Sequence, residues 1–209
     1  CCRYEDALFE QQVLEMVASH NGDVPLFLFW APHVAHAPLQ APPPFIHHFE
    51  FINASGTDDA LHHRQLMHAM VHFADAAITN VTDAFKAKGM WETTLLFFCA
   101  DNGGAIAKRG NVGGNNYPLT GGKYNNWEGG IRVNSFISGG FLPPSRRGVK
   151  YEGLFTGWDY YATFAALAGV DATDHRAARA ALPPIDSVDF SPVLLGLATA
   201  PPRRELVIG

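Results

Sequence analysis

The chain has 209 residues and a formal charge of −5 at pH 7, from fifteen Lys and Arg against twenty Asp and Glu. Hydrophobic residues make up 47% and charged residues 17%, a composition that packs a core and excludes a disordered or low-complexity chain. The acidic balance offers no basic field for nucleic acid or an anionic membrane surface, and the apolar runs at 26–30 and 95–100 are too short to span a bilayer.

Residues 5–20 start acidic, carry Leu8, Phe9, Val13, Met16 and Val17, and run out at Asn21-Gly22, the pattern of a helix. The continuously apolar 25–30 predicts a strand covered on both faces. A Pro- and His-rich loop fills 31–57. Met67, Met70, Val71, Ala74, Ile78, Val81 and Phe85 recur at helical spacing, so 60–88 is a second amphipathic helix closed by Gly89. Residues 93–99 predict another doubly buried strand, with Cys99 as a buried small hydrophobe, and they deliver the chain into Asp101-Asn-Gly-Gly104.

The glycine-rich stretch 103–130 has almost no apolar periodicity, and a loop of that length in a packed domain has a functional reason. A third strand is expected at 133–138, a helix at 159–168 with Asp159 near its start, a surface connection at 171–186 and a last strand at 205–208. Strands alternating with helices predict an α/β layer sandwich around a mostly parallel sheet.

Several chemistries drop out on motif grounds. There is no G-x-G-x-x-G, no Walker P-loop around Lys123, no G-x-S-x-G and no H-E-x-x-H. Asp101 and Asn102, side by side at the carboxyl end of a strand, offer the hard oxygen donors that Ca²⁺ or Mg²⁺ prefer; an ordinary Asp-Asn-Gly turn is the plainer alternative. Lys123 after Gly121-Gly122 is a point charge suited to a tetrahedral anion, or else a solvated loop lysine. Glu128 and Arg132 are spaced for a structural ion pair.

Eight of the ten histidines lie between His33 and His72. His36 sits just beyond the 25–30 run. His68, His72 and Asp75 share one face of the second helix, where they either bind zinc or form a polar surface. Two N-x-[ST] sequons, at Asn53 and Asn80, permit a secretory route.

In order along the chain come Pro25-Leu-Phe-Leu-Phe, His36-Ala-Pro-Leu-Gln-Ala-Pro42, Asn80-Val-Thr, Gly89-Met-Trp and Cys99-Ala-Asp-Asn-Gly-Gly104. These are followed by Asn115-Asn-Tyr-Pro-Leu119 with Lys123, and Trp127-Glu-Gly-Gly-Ile-Arg132. Weaker matches extend through Asp159 into Pro202-Arg-Arg-Glu-Leu206. This series resembles the sulfatase family of the alkaline-phosphatase superfamily, in particular the arylsulfatase B type. The resemblance implies an alkaline-phosphatase-like layer sandwich and a calcium-dependent hydrolase of sulfate esters, acting on a sulfated small molecule or glycan. It implies calcium ligation by Asp101 and Asn102, and sulfate contacts from Lys123 and His36, with His36 placed to protonate the leaving oxygen. It also implies a lysosomal or secreted location.

The family's nucleophile is a formylglycine made from Cys or Ser in C/S-x-P-x-R. None of Cys1, Cys2 or Cys99 stands in that motif, and the family's N-terminal Asp pair is not found in these residues. Residues 1–209 are therefore expected to be the second half of a catalytic domain, without the nucleophile half or the small C-terminal domain. Thr120 and Gly122 stand where members of the arylsulfatase B type carry arginines, which weakens any transfer of their sulfated aminosugar substrate. A phosphodiesterase or phosphonate hydrolase of the same superfamily, or a non-catalytic fragment that binds sulfated glycans, are the competing readings.

Overall fold

The computed structural model describes residues 3–106 and 113–208. Cys1 and Cys2 lie outside the described residues. The chain divides into two compact units, Cys1–Gly139 and Gly140–Gly209.

In the first unit, α1 (Glu5–Ser19) packs on the long α3 (Asp59–Ala87). Val13 and Val17 of α1 meet Val81 and Phe85 of α3, and Leu28, Trp30, Met90 and Trp91 close over them. The α3 start is set by Asp58, whose carboxylate accepts from the Ala60 and Leu61 amides at 2.8 and 3.0 Å. Its buried stripe runs through Leu66, Ala69, Met70, Phe73, Ala77, Val81 and Phe85. That face is rotated from the one expected: Val71 is 49% exposed, because α1 covers the other flank of the helix.

The apolar run at 25–30 is not a strand. Leu28 and Trp30 turn into the α1–α3 core, while Phe27 and Phe29 are exposed; among the described residues no neighbouring strand supplies a ladder, so the alternation exists without pairing. The loop at 31–57 contains the short α2 (Pro43–His47) and a 3₁₀ turn at Glu50–Asn53, both packed on α3.

β1 (Leu96–Cys99) and β2 (Ser135–Ser138) form the sheet found among the described residues. They pair antiparallel, with Phe98 opposite Phe136 and the two rings stacked at 4.8 Å, where the alternation of elements predicted parallel pairing. Strand β1 is half-buried rather than covered on both faces, and Cys99 at its end is exposed, which corrects the expected buried thiol. The sheet has only two strands, so little packs on its faces. A bond from the Ala100 amide to the Asn134 carbonyl at 3.0 Å extends the ladder by a step and sets Asp101 at its end.

The short α4 (Glu128–Ile131) precedes β2; in the second unit, α5 (Asp159–Leu167) starts where expected, and residues 205–208 are not a strand, with Val207 91% exposed. The Asp159 side chain is fully buried. It accepts from the Thr156 amide and hydroxyl at 2.9 and 2.6 Å, from the Val188 amide at 2.8 Å, and from Arg203 through two nitrogens at 2.9 and 2.6 Å. One carboxylate thus ties together the α5 start and the chain at 188 and 203. Burial pushes its pKa up, but the bonds from Arg203, Thr156 and Val188 outweigh that and hold it below the ordinary value. A lowered folded-state pKa contributes stability that is present above the unfolded value and is lost as pH falls below about 4. Arg203→Met, which strands the buried carboxylate, is expected to destabilise this unit by about 3–5 kcal/mol at pH 7. Urea midpoints at pH 7 and pH 3 measure it, and the variant's deficit should shrink at the lower pH.

Candidate active site

His36 and Lys123, 87 positions apart in sequence, meet with Lys123 Nζ 3.0 Å from His36 Nε2. The histidine is placed from α1. The buried Asp6 carboxylate accepts the His33 amide at 2.7 Å, the His33 carbonyl accepts the His36 amide at 3.0 Å, and the His33 ring pairs with Glu5 at 2.9 Å. On its far side, Tyr4 donates to the Gln40 carbonyl at 3.0 Å. Burial first, and then the Asp6 carboxylate, push the Tyr4 hydroxyl up to about 12, so it remains a donor throughout the physiological range. The His36 Nδ1 donates to the Ala37 carbonyl at 2.8 Å, which leaves Nε2 as the acceptor of a Lys123 N–H.

Lys123 is placed by glycine. Three stretches, Gly103-Gly104, Gly121-Gly122 and Gly129-Gly130, lie backbone against backbone. A Cβ at Gly103 would stand 1.8 Å from the Gly129 carbonyl oxygen, one at Gly122 2.4 Å from that of Gly104, and one at Gly130 2.4 Å from that of Gly122. The hydrogen bonds run the same way: Gly103 amide to Gly130 carbonyl at 2.9 Å, Lys123 amide to Gly104 carbonyl at 3.1 Å, and Gly129 amide to Thr120 carbonyl at 2.8 Å. Side chains could not pass here, which accounts for glycine at these six positions.

Asn116 holds the layers together. Its Oδ1 accepts the Gly104 amide at 2.9 Å, and its Nδ2 donates to the Gly104 and Gly121 carbonyls at 2.8 and 3.0 Å. In the sequence Asn116 stands in the Asn115-Asn-Tyr-Pro-Leu119 motif with no role of its own; an asparagine inside a glycine-rich loop, able to bond backbone on both sides, is the signal for this brace. Glu128 and Arg132 pair at 3.5 Å across α4 (Glu128–Ile131), an exposed structural contact as expected.

Asp101 and Asn102 sit on the same loop, joined to Lys123 through Gly104. The Asp101 Oδ1 accepts the Asn102 amide at 2.8 Å, and the Asn102 Nδ2 donates to the Gly103 carbonyl at 3.0 Å, leaving Asn102 Oδ1 as the oxygen a cation could use. The donors fit calcium in kind but supply only a small part of the six to eight oxygens it takes. Among the described residues no group of three or more His, Cys, Asp or Glu side chains is placed to hold a metal ion. The His68 and His72 rings are engaged in aromatic packing. His72 packs edge-on to Phe45, Phe49 and His48, at 5.3, 5.8 and 5.0 Å, and His68 stacks on Phe49 at 5.5 Å, so these rings serve the seat of α2 on α3.

The sequence pattern of the Sulfatase family matches residues 1–170. The chain belongs to the sulfatase family. Arylsulfatase J of Mus musculus is 34% identical over 166 residues, which are 79% of this chain and 25% of that protein. N-acetylgalactosamine-6-sulfatase of Homo sapiens is 28% identical over 189 residues, 90% of this chain and 32% of the relative. Among solved structures, the crystal structure of Ps i-CgsB superposes with a TM-score of 0.75 at 26% identity, over 94% of this chain and 39% of that one. Its complex with k-i-k-neocarrahexaose gives 0.71 at 29% identity, over 82% and 35%. The fold is therefore the alkaline-phosphatase-like one, present as a partial domain of helices and a small sheet, and the chain spans about a quarter to two-fifths of the length of these relatives.

Gly103→Ala is expected to lower stability by about 1–3 kcal/mol, because backbone must move to admit the methyl group. Gly157→Ala, where no heavy atom lies within 4 Å, serves as the control and should be neutral or gain up to about 1 kcal/mol. Urea titration of the two variants reads the difference.

Proposed function

We propose that this sulfatase-family chain carries the sulfate-holding part of a sulfuric ester hydrolase, with His36 and Lys123 on the sulfate and Asp101 and Asn102 as two ligands of a calcium ion. The observation that carries the reading is the 3.0 Å approach of Lys123 Nζ to His36 Nε2, on a loop whose backbone is bonded to the one bearing Asp101 and Asn102. A primary ammonium and an imidazole converging on one point suit a tetrahedral dianion or monoanion. Bound calcium would supply charge neutralisation for the transferring group.

The chain's own contribution is positioning and proton handling. Lys123 is fixed through its backbone amide to Gly104, so its ammonium can leave His36 for a sulfate oxygen without the loop moving. His36 then has Nε2 free to exchange a proton with the ester oxygen, while Nδ1 stays on the Ala37 carbonyl and holds the ring. The nucleophile comes from outside these residues, since no cysteine here stands in C/S-x-P-x-R. Sulfated glycans are the preferred substrate class: one relative is named N-acetylgalactosamine-6-sulfatase, and one structural neighbour was solved in complex with k-i-k-neocarrahexaose. A lysosomal or secreted location goes with this reading, by likeness to relatives such as arylsulfatase J and N-acetylgalactosamine-6-sulfatase.

Purified residues 1–209 are expected to show no turnover of an aryl sulfate above background, and to bind calcium no tighter than about 1 mM, the range of sites poor in carboxylates. Calorimetric titration should show Asp101→Ala abolishing that calcium heat and leaving inorganic sulfate binding in place. Lys123→Ala should do the reverse, weakening sulfate about ten-fold or more, the size of one lost charge-assisted contact. Equal loss of calcium in both variants would contradict the division of roles.

A further inference from the structure

Tyr117, Tyr124 and Trp127 bracket Lys123 in sequence, and all three are strongly exposed, at 85%, 65% and 63%. Three large aromatic side chains in solvent within one short stretch are costly unless something covers them. Each is held in place. The Asn115 Oδ1 accepts the Tyr117 amide at 3.0 Å, and the Asn125 Oδ1 accepts the Trp127 amide at 3.1 Å, so the same two-residue device fixes both backbones. Trp127 lies against Gly121, where a Cβ would come within 2.5 Å of its own Cβ. Only glycine lets the indole settle beside the loop that carries Lys123.

Tyr124 carries the more telling feature. It follows Lys123 directly and adopts φ +85°, a conformation that glycine takes freely and a bulky residue takes only at a cost. Glycine would remove that cost, and the neighbouring stretch uses glycine wherever the backbone alone decides. The ring therefore has a use that offsets the strain. It lies beneath the Lys123 ammonium, with Nζ 5.7 Å from the ring centroid, so one small area presents a cation, an imidazole and an aromatic face.

We infer that Tyr124 and Trp127, with Tyr117 at the margin, form a stacking platform for a pyranose ring of a sulfated saccharide whose sulfate is held by Lys123 and His36. A pyranose has apolar C–H faces that lie flat on aromatic rings and hydroxyls at its rim that bond to side-chain amides. The rings here are interleaved with Asn115, Asn125 and Asn126, whereas a protein partner would call for a continuous apolar patch. The charge agrees: a sulfate group on the sugar meets the Lys123 ammonium at this point. This inference rests on the sulfate-site reading above and adds the groups that select the sugar.

The test is calorimetric titration of the 209-residue chain with inorganic sulfate and with k-i-k-neocarrahexaose, for the parent chain and for Lys123→Ala, Trp127→Ala and Tyr124→Gly. Trp127→Ala and Tyr124→Gly are each expected to weaken the hexasaccharide about ten-fold, as loss of one stacked ring should, and to change sulfate affinity less than two-fold. Tyr124→Gly also relieves the backbone strain, so a thermal midpoint at or above that of the parent shows that weakened binding is not unfolding. Lys123→Ala should weaken both ligands. Hexasaccharide binding that falls with Lys123→Ala but is unchanged in both aromatic variants overturns the platform and leaves the sulfate site standing. A parent chain that binds neither ligand overturns the sulfate site and the platform with it.

Discussion

Backbone-on-backbone contact among three glycine pairs is the constraint from which the site follows. Gly103, Gly122 and Gly130 each approach a carbonyl oxygen of the next layer more closely than any side chain allows. Loops in such contact lose the conformational freedom that normally makes loop sites imprecise, at the entropic cost glycine carries in the unfolded chain. The gain is a loop stack as well determined as a sheet, with Asn116 as its cross-brace. The segments bearing Lys123 and Asp101 are tied to each other through Gly104.

The histidine side of the site is held by different means. The buried Asp6 carboxylate on α1 and the Tyr4 hydroxyl grip the loop before and after His36. The position of His36 therefore depends on how α1 seats against α3 through Val13, Val17, Val81 and Phe85. A helix–helix core and a glycine stack, each rigid for its own reason, converge on one 3.0 Å contact. In the second unit Asp159 plays the comparable part, gathering Thr156, Val188 and Arg203 around a single buried charge. A buried carboxylate with every lone pair engaged specifies one arrangement and penalises all others.

The helices were the most legible elements. Residues 59–87 carry their own period, Asp58 cap and Gly89 stop, and residues 5–19 their period and an Asn-Gly stop, so local chemistry decides them. The strands were less so. The 25–30 run has the composition of a doubly covered strand, yet Phe27 and Phe29 are exposed and no ladder forms, because pairing needs a partner and composition cannot supply one. Cys99 fails for the same reason: its apolar neighbours promised a covered strand, and a two-stranded sheet leaves its end open.

What the sequence determined by itself was chemistry in order along the chain: His36, Asp101-Asn102, the glycine pairs, Lys123, and the family membership these motifs carry. Such features are set by residue identity and spacing, which survive without coordinates. Tertiary structure alone decided that His36 and Lys123 touch, that Asn116 braces the loops, and that Tyr124 is held at φ +85° beneath a cation. These depend on contacts between residues far apart in the chain or on a backbone angle imposed by packing, and neither leaves a periodic trace. The His68–His72 pair shows the converse, since ligand spacing on a helix is satisfied equally well by rings packed on Phe45 and Phe49, and only the neighbours tell the two apart.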